Sequence, residues 1–383
     1  MGLTGLHRRL SRREERGAER LLIPPLAALS LLYRLAVAGR NLAYDRGWMR
    51  SERLAAWVLV VGGLSAGGSG KTPLAAELAR RIARWGVPPL IVARAYRAAG
   101  FRRGALLVAD GAGGAEPDPL RFGDEAALLA RLAPGIPVAI ARRRAEVLRD
   151  PALAELGARA LVLDGGLQHR RLRPDLALAT IDASLEPSSG RLLPLGDLRE
   201  PWTALRRADW IVLHRGQLCP DPLPWERFLD RVAPGRPRLW THTGLQAPEE
   251  LGEGRVTPWP ELRGRRLGLW TGLGHPEALV ADLAAEGVVP AWRELAPDHA
   301  RCDAALARRL RRAAARERLE AILVTLKDAV KLEAWRDALP PVLVCRSGIG
   351  FGRGLEAFEG QLRASLRAAG VLPAGDPPCA ASD

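Results

Sequence analysis

An apolar strand that runs directly into a phosphate-binding loop constrains this chain more than any other feature. Trp57–Gly62 reads as a buried strand, a glycine-rich turn follows it, and Lys71, Thr72 and Pro73 open a helical pattern. In such a loop, backbone N–H groups surround phosphate oxygens, the lysine reaches the β- and γ-phosphates, and the hydroxyl holds Mg²⁺. The predicted nucleotide-binding residues are Ser65, Ala66, Gly67, Gly68, Ser69, Gly70, Lys71 and Thr72.

Two observations bear on this interpretation. The chain has 57 lysine and arginine residues, and the only lysines are Lys71, Lys327 and Lys331. Because arginine stands at nearly every other basic position, a lysine in the loop is not a product of composition, and a compact ammonium fits a phosphate cradle better than a planar guanidinium. The second observation weakens the interpretation, because Ser65 stands where the strict pattern has glycine. The alternative is a glycine-rich turn that binds no nucleotide.

The net charge of +14 bears on which classes of partner the protein attracts. Nucleic acid, an anionic membrane and an acidic lipid substrate each attract such a surface, whereas a GC-rich coding bias would enrich arginine without any binding purpose. The sequence contains no aromatic-rich basic platform or reader motif, so we predict no nucleic-acid partner. The four cysteines lack metal-ligand spacing and indicate reduced thiols in a cytosolic protein.

The N-terminal segment combines positive charge with an apolar stretch. Met1–Arg20 is strongly basic, and the apolar run that follows contains Pro24 and Pro25 before it reaches Arg34. This run is shorter than the roughly 20 residues of a spanning helix, and no cleavage motif of a signal peptide follows it. We predict a helix that lies in a membrane interface. The alternative is a helix packed on the body of the protein.

Alternating strand and helix patterns predict an α/β fold with a mostly parallel, P-loop NTPase-like sheet covered by helices on both faces. The expected strands are Trp57–Gly62, Pro89–Arg94, Ile136–Ala141, Ala160–Asp164, Leu176–Asp182 and Trp210–His214. The expected helices are Thr72–Trp85, Asp124–Leu132, Arg143–Leu156 and Pro201–Arg207, and a short hairpin is expected at Arg103–Asp110.

A second block of alternating patterns predicts a smaller α/β domain. It contains expected strands at Leu267–Thr271, Val289–Leu295, Ala321–Val324 and Val342–Cys345, with expected helices at Pro276–Glu286, Asp303–Leu319, Asp328–Ala338 and Gly354–Ala369. The predicted division is a basic segment and membrane helix at 1–50, a P-loop kinase domain at 51–219, a linker at 220–263, the smaller domain at 264–370 and a disordered tail at 371–383.

Polar residues at three places favour a kinase. Asp124 and Glu125 open a helix, where one carboxylate can serve a metal and the other a hydroxyl, although Asp124 could simply be a helix N-cap. Asp164 ends an apolar strand, as the Mg²⁺-directed carboxylate of P-loop enzymes does, although an aspartate before two glycines also forms turns. Gln168 and His169 follow at once. The string from Thr325 to Asp328 has the wrong spacing for a guanine-reading GTPase motif.

These strings occur in one order along the chain, and together they resemble the tetraacyldisaccharide 4′-kinase family, the lipid A kinases of Gram-negative bacteria. The resemblance covers about Leu21 to Leu332. The strings are Ser65–Pro73, Gly123–Glu125, Asp164–Asp175, Leu193–Glu200, Pro297–His299 and Thr325–Leu332.

The resemblance implies transfer of the γ-phosphoryl group of ATP to the 4′-hydroxyl of a tetraacyldisaccharide 1-phosphate at the cytoplasmic face of the inner membrane. It implies Lys71 and Thr72 on the phosphates and Mg²⁺, Glu125 and Asp164 around the metal, and Asp124 as the base, oriented by His299. The implied substrate-binding residues are Tyr96, Arg144, Gln168, His169, Arg199 and Glu200. The lipid precursor and the membrane surface are the expected partners, with no obligate protein partner.

Three residues depart from the family pattern. Gly165 stands where a second aspartate is usual, Ala95 replaces the glycine before Tyr96, and Leu326 replaces a glutamate. A missing carboxylate at Gly165 bears directly on the metal site. Two alternatives therefore stay open: a P-loop kinase that phosphorylates another anionic small molecule or a nucleotide, and an ATP-binding homologue with reduced catalysis.

Overall fold

The computed structural model describes residues 17–65, 69–95, 98, 104–112, 117–187, 190–273, 276–296 and 303–373. Five predicted site residues lie outside these ranges: Ala66, Gly67, Gly68, Tyr96 and His299. So do the basic residues 1–16 and most of the predicted tail.

A nine-stranded sheet forms the larger part of the molecule, with the strand order β14-β8-β7-β6-β1-β5-β2-β4-β3. Seven neighbouring strands are parallel, and β3 and β14 are antiparallel at the two edges. Its strands are β1 (Trp57–Gly63), β2 (Pro89–Arg94), β3 (Ala105–Ala109), β4 (Val138–Ala141), β5 (Ala160–Asp164), β6 (Leu176–Asp182), β7 (Trp210–His214), β8 (Arg238–Leu245) and β14 (Ser347–Phe351).

A five-stranded sheet forms the smaller part, with the order β11-β10-β12-β13-β9. Four of its strands are parallel, and the short β9 is antiparallel at one edge. Its strands are β9 (Glu249–Glu250), β10 (Leu267–Thr271), β11 (Trp292–Leu295), β12 (Ala321–Thr325) and β13 (Val342–Cys345).

Helices cover both sheets. The α-helices are α1 (Ile23–Asp45), α2 (Lys71–Arg84), α3 (Pro119–Phe122), α4 (Asp124–Leu132), α5 (Pro151–Ala154), α6 (Leu223–Val232), α7 (Trp259–Leu262), α8 (Pro276–Ala285), α9 (Ala304–Glu317), α10 (Leu326–Leu332) and α11 (Leu355–Ala368). Five 3₁₀ segments accompany them: Gly17–Leu22, Arg144–Arg149, Trp202–Arg207, Gly216–Leu218 and Glu333–Ala338.

Strand β1 shows why these sequences form a doubly covered sheet. Its residues are all buried, and successive side chains enter opposite faces: Leu59 and Val61 join the core beneath α2, whereas Val58 and Val60 join the core on the other face. A parallel strand buried on both faces has to be apolar throughout. The predicted fold class is confirmed, and most predicted strands agree with the structure within two residues.

Several predicted elements differ at prolines. The helix predicted at Arg143–Leu156 is a 3₁₀ segment that ends before Pro151, where α5 begins, because proline cannot continue a helix from the preceding turn. The strand expected from Ile136 begins at Val138, after Pro137. Pro24 and Pro25 were expected to interrupt the apolar run, but they lie in the first turn of α1, where a missing N–H is harmless. The helix therefore continues unbroken from Ile23 to Asp45.

The predicted domain boundaries differ from the sheet membership. Strand β8 extends the larger sheet, so the predicted linker at 220–263 contains a full strand of that sheet. Strand β14 pairs with β8, and Phe358 and Leu362 of α11 pack in the larger core. The chain thus leaves the larger sheet after β8 and returns to it at β14. Hydrophobic alternation shows that a segment is a strand but not which sheet it joins, which is why the sequence misplaced 347–370.

Two smaller predictions are also corrected. Val371 and Leu372, which the prediction assigned to a disordered tail, are buried in the larger core. The hairpin expected at Arg103–Asp110 is, in the described residues, the single strand β3, which pairs with β4.

Helix α1 lies along the larger domain with one polar face against it. Ser30 Oγ donates to the carbonyl of Leu192 (2.9 Å), and Tyr33 Oη donates to the carbonyl of Arg199 (2.9 Å). Its other face is apolar and exposed, with Leu29, Leu31, Leu32 and Leu35 all more than half exposed. By length and composition Arg20–Asp45 could cross a membrane, and only 11% of its apolar window is buried.

Candidate active site

The phosphate loop connects β1 to α2 and requires glycine at Gly70. Its φ is +72°, and a Cβ there would lie 2.3 Å from Cδ2 of His214, so both conformation and space exclude a side chain. Lys71 Nζ donates to Ser69 Oγ (2.9 Å), and Ser69 is itself buried against Thr180 Oγ1 (3.0 Å). These bonds hold the lysine beside the loop before any phosphate arrives.

Thr72 and Asp164 meet at the mouth of the loop. Thr72 Oγ1 donates to Asp164 Oδ2 (2.8 Å), because parallel β1 and β5 are neighbours and their carboxyl ends lie together. Burial raises the pKa of Asp164, while the Thr72 hydrogen bond and the charges of Lys71 and Arg144 lower it. Burial outweighs these opposing effects, so the pKa of Asp164 lies above its usual value.

This pair fits a magnesium ion. A hydroxyl oxygen and a carboxylate oxygen are hard donors, and Glu125 lines the same cavity. Among the residues that the structure describes, no three His, Cys, Asp or Glu side chains gather into a metal cluster. Mg²⁺ at nucleotide sites takes only one or two protein ligands and completes its shell with phosphate and water.

Gly165 follows Asp164 with a left-handed backbone, at φ +65°. A Cβ built there would lie 3.8 Å from Arg144 Nη2, the nearest heavy atom outside the neighbouring residues, so the first atom of a side chain has room. Its backbone conformation favours glycine, with aspartate and asparagine the best tolerated alternatives. Packing therefore does not explain why the second aspartate is missing.

Three predicted substrate residues gather around Asp164. Arg144 is buried, donates to the backbone carbonyl of Asp164, and has a pKa lowered to about 10, chiefly by burial. Its Nε has no hydrogen-bond partner within the described part of the chain. Gln168 Nε2 donates to the carbonyl of Gly63 (3.0 Å). Burial, followed by the charges of Arg144 and other arginines, lowers the pKa of His169.

Asp124 and Glu125 begin α4. The N-cap position is Gly123, so Asp124 is the first helical residue and not the cap that the alternative interpretation required. Asp124 Oδ1 accepts a hydrogen bond from the N–H of Glu125 (3.1 Å), and both residues are half-buried. Glu125 lines the cavity, and Asp124 precedes it at the start of α4.

Arg199 and Glu200 have different surroundings. Arg199 lines the cavity. Glu200 is fully buried and binds Arg40 (2.6 Å), Asn41 (3.1 Å) and Arg207. Both of its carboxylate oxygens are occupied by protein, so Glu200 ties α1 to the larger domain and is not placed to contact a substrate directly.

A cavity of about 840 Å³ lies between the two sheets. Of the predicted site residues described above, it is lined by Ser69, Gly70, Lys71, Thr72, Glu125, Arg144, Asp164, Gln168, His169 and Arg199, but not by Asp124 or Glu200. The smaller domain contributes one wall, including Leu273, Leu279, Asp282 and Lys327. Sequence reasoning missed Arg40, Arg94, His214, Arg215, Asp282 and Lys327 as lining residues. Only Lys327 had a usable signal, the rarity of lysine; the others are ordinary residues whose position depends on the tertiary fold.

The other two departures have physical explanations. Ala95 is absent from the positive-φ residues of the described chain, so this backbone does not need glycine. Leu326 is buried in the core of the smaller domain, where a glutamate would be poorly solvated.

Comparison with known proteins is consistent with this geometry. The sequence profile of the tetraacyldisaccharide-1-P 4′-kinase family matches residues 22–367. Similar proteins include the tetraacyldisaccharide 4′-kinase of Anaeromyxobacter sp. (strain K), 39% identical over 90% of this chain and 91% of the relative. That of Syntrophus aciditrophicus (strain SB) is 37% identical over 80% and 83%. A crystal structure described as "apo" form LpxK from Aquifex aeolicus in complex with ATP aligns with a TM-score of 0.67, 26% identity, and coverage of 91% and 99%.

Proposed function

The chain belongs to the tetraacyldisaccharide-1-P 4′-kinase family, and from that premise we propose how its cleft transfers the phosphoryl group. The activity is ATP-dependent phosphorylation of the 4′-hydroxyl of a tetraacyldisaccharide 1-phosphate in lipid A biosynthesis. The observation that supports the proposal is the hydrogen bond between Thr72 and Asp164 beside Lys71, in a cavity that the N-terminal end of α4 also lines.

The triphosphate occupies the phosphate loop. Lys71 neutralises its oxygens, and Gly70 lets the chain turn into α2 so that backbone N–H groups point at the phosphates. Thr72 and Asp164 would hold Mg²⁺, with Glu125 around its waters. When bound, the ion draws negative charge from the β- and γ-phosphate oxygens. A bound cation would also stabilise the ionised carboxylate of Asp164, whose pKa is raised by burial.

The sheet order indicates where the nucleobase lies. Asp164 ends β5 on one side of β1, whereas β6, β7 and β8 extend on the other side. On that side the cavity is lined by Thr243 and by Leu273 and Leu279 of the smaller domain. Leu273 and Leu279 supply apolar surface for a purine, beside the polar side chains of His214, Arg215 and Asp282, and the γ-phosphate then points toward α4.

Asp124 acts as the base. A sugar hydroxyl is a poor nucleophile, and phosphoryl transfer depends mostly on positioning and charge, with the carboxylate accepting the proton late. Asp124 stands at the helix end that faces the cavity, next to Glu125, which lines it. His299, expected to orient Asp124, lies outside the described residues and stays a prediction.

The lipid reaches the cleft from the side of α1. Tyr33 and Arg40 of this helix line the same cavity as the phosphate loop, while its opposite face exposes leucines. An amphipathic helix of a protein with net charge +14 suits an anionic membrane surface, here the cytoplasmic face of the inner membrane. Arg144 and Arg199 are then placed for the anionic head group, alongside Gln168 and His169.

The test combines product analysis with matched variants. Purified protein is incubated with Mg²⁺-ATP and tetraacyldisaccharide 1-phosphate in detergent micelles, and the 4′-phosphorylated product is identified by mass spectrometry. We expect Asp124→Asn to lower kcat by about 10³-fold with little change in ATP affinity. Asp337→Asn is the control, since Asp337 is 94% exposed and belongs to no site. Full activity of Asp124→Asn would refute the assignment of the base.

A second experiment separates a lipid kinase from a soluble kinase. A variant that lacks residues 1–45 removes α1 and its apolar face. We expect it to lose partition into anionic vesicles and most lipid phosphorylation, while still binding ATP. Unchanged partition and lipid turnover would favour the soluble alternative.

A further inference from the structure

The smaller domain places a lysine in the cleft, facing the phosphate loop. Lys327 follows β12 in the first turn of α10 and lines the same cavity as Lys71, Thr72 and Asp164. None of the roles proposed above uses this side chain.

Lysine is a rare choice in this chain, and its three positions are informative. Of 57 basic residues, only Lys71, Lys327 and Lys331 are lysines. Lys71 belongs to the phosphate loop, and Lys331 Nζ lies 3.2 Å from Oδ1 of buried Asp328. Both of these places suit a compact ammonium better than a planar guanidinium. Lys327 is the third such place, and its surroundings are the cleft.

The backbone at Lys327 is held firmly by its neighbour Asp328. This carboxylate is fully buried and accepts four bonds: from Thr271 Oγ1 (2.9 Å), Gly272 N (3.0 Å), Thr325 Oγ1 (2.8 Å) and Lys331 Nζ (3.2 Å). They fasten the start of α10 to the ends of β10 and β12. On the other side of Lys327, Leu326 is 5% exposed in the core.

Helix α10 lies beside α4, the helix that begins with the proposed base. The two helices pack against each other, and Arg131 Nη2 lies 3.3 Å from Glu333 Oε2 at their C-terminal ends. Glu125 at the start of α4 and Lys327 at the start of α10 both line the cavity.

We propose that Lys327 contacts the γ-phosphoryl group during its transfer, as a cationic group supplied by the smaller domain. In the transfer, the bond from the γ-phosphorus to the β–γ bridging oxygen breaks, a bond to the sugar oxygen forms, and the hydroxyl proton passes to Asp124. Lys327 keeps its proton and neutralises the equatorial oxygens, as an arginine finger does in other P-loop enzymes. This inference rests on the proposed function and adds a catalytic residue to it.

The position favours the γ-phosphoryl group over the phosphate of the lipid. Asp124 marks the place of the reacting 4′-hydroxyl, and Lys327 lines the cavity together with Glu125, the neighbour of Asp124. The 1-phosphate is at the opposite end of the disaccharide. The nearest phosphate to Lys327 is thus the one being transferred.

Kinetics of neutral variants test the inference. We expect Lys327→Gln and Lys327→Met to lower kcat by about 10²- to 10⁴-fold, with the ATP Kd and lipid KM changed by less than about threefold. Lys327→Arg should recover at least about tenfold of the loss, because it restores the charge with a poorer fit. Arg312→Gln, an exposed residue of α9, removes the same charge and should change kcat by less than about twofold.

A binding measurement without lipid separates this inference from the proposed function. Mg²⁺-ADP with aluminium fluoride imitates the phosphoryl group in transfer, and its Kd is compared with that of Mg²⁺-ADP by calorimetry. We expect Lys327→Gln to leave ADP binding unchanged and to remove at least about tenfold of the fluoride-dependent tightening. Equal tightening in wild type and variant would overturn the inference, whatever the lipid assay shows.

A disaccharide without the 1-phosphate distinguishes the two phosphates. If Lys327 contacts the γ-phosphoryl group, Lys327→Gln loses the same factor of kcat on both substrates. If the loss disappears on the substrate without the 1-phosphate, Lys327 binds the lipid phosphate and the inference is wrong.

Discussion

Two buried aspartates, one in each domain, have similar partners but different degrees of satisfaction. Asp164 and Asp328 each accept a threonine hydroxyl at 2.8 Å. Asp328 is also bonded to a second threonine, a backbone N–H and Lys331, whereas within the described residues Asp164 has only Thr72 as a side-chain donor. A buried carboxylate with all its lone pairs occupied stabilises a fold, and one left short of donors is suited to receive a ligand.

Removing the charge of Asp164 gives the largest expected effect. Asp164→Asn loses the carboxylate for Mg²⁺, and we expect kcat to fall by at least about 10³-fold. The stability of the Asp164→Asn variant should not fall with its kcat. Burial raises the pKa of Asp164 from 3.8, so its contribution to stability is present below that pH and is lost as the pH rises. At pH 7 the asparagine variant should therefore unfold, in the absence of ATP, at equal or higher urea concentration.

Asp328→Asn should affect stability first. One amide oxygen cannot replace a carboxylate that accepts four bonds, and the ammonium of Lys331 would lose its partner. We expect the free energy of unfolding to fall by about 3 kcal/mol. Urea unfolding monitored by tryptophan fluorescence, with Asp164→Asn as the matched control, measures the difference. Equal stability of the two variants would refute the distinction between the two aspartates.

His214 extends the comparison to acid pH. Burial, followed by the charge of Arg215, lowers the pKa of this histidine from 6.5 to about 4. Its contribution to stability is present above pH 6.5 and is lost as the pH falls toward 4, opposite in direction to Asp164. At pH 5 this loss is about 2 kcal/mol. Between pH 7 and pH 5, the free energy of unfolding of His214→Gln should therefore fall by about 2 kcal/mol less than that of wild type. Parallel pH profiles would show that His214 is not buried as a neutral ring.

Gly165→Asp should have the smallest effect. The site of the missing carboxylate has room, and its left-handed φ should cost about 1 kcal/mol of stability. Because Thr72 and Asp164 already meet, we expect kcat to change by less than about tenfold. Gly165→Asn, which has the same shape without the charge, is the control. A rise of kcat above about a hundredfold in the aspartate variant alone would instead identify the wild type as a homologue with reduced catalysis.

Residues whose position in the fold depends on nearby sequence were predictable. The strand, the turn and Lys71 are contiguous, so the phosphate loop could be read directly, and Asp164 followed from the rule that parallel strands end at one edge. The family resemblance added Asp124 and the cleft arginines. Glu200 shows the limit of prediction from a motif. The motif identified the residue, but its burial against Arg40 depends on how α1 packs.

Residues whose role depends on the joining of domains were not predictable. Strand β14 contains two glycines and only two apolar side chains, a pattern that does not identify a sheet partner. Asp282 of α8 lines the cleft, yet nothing near it in sequence distinguishes it from a surface aspartate. The roles of Tyr96 and His299 stay predictions.

The pairing of β8 with β14 has a consequence for how the smaller domain is joined to the larger one. Leu245, the last residue of β8, lies opposite Ser347, the first of β14, so the whole smaller domain is inserted between two residues that are already neighbours. Strand ends this close can be joined by a tight turn of two to five residues. A chain shortened in this way would keep all nine strands of the larger sheet in an unbroken order. With Leu128, which packs against the core of the smaller domain, replaced by a polar residue, it should fold as an independent nucleotide-binding protein.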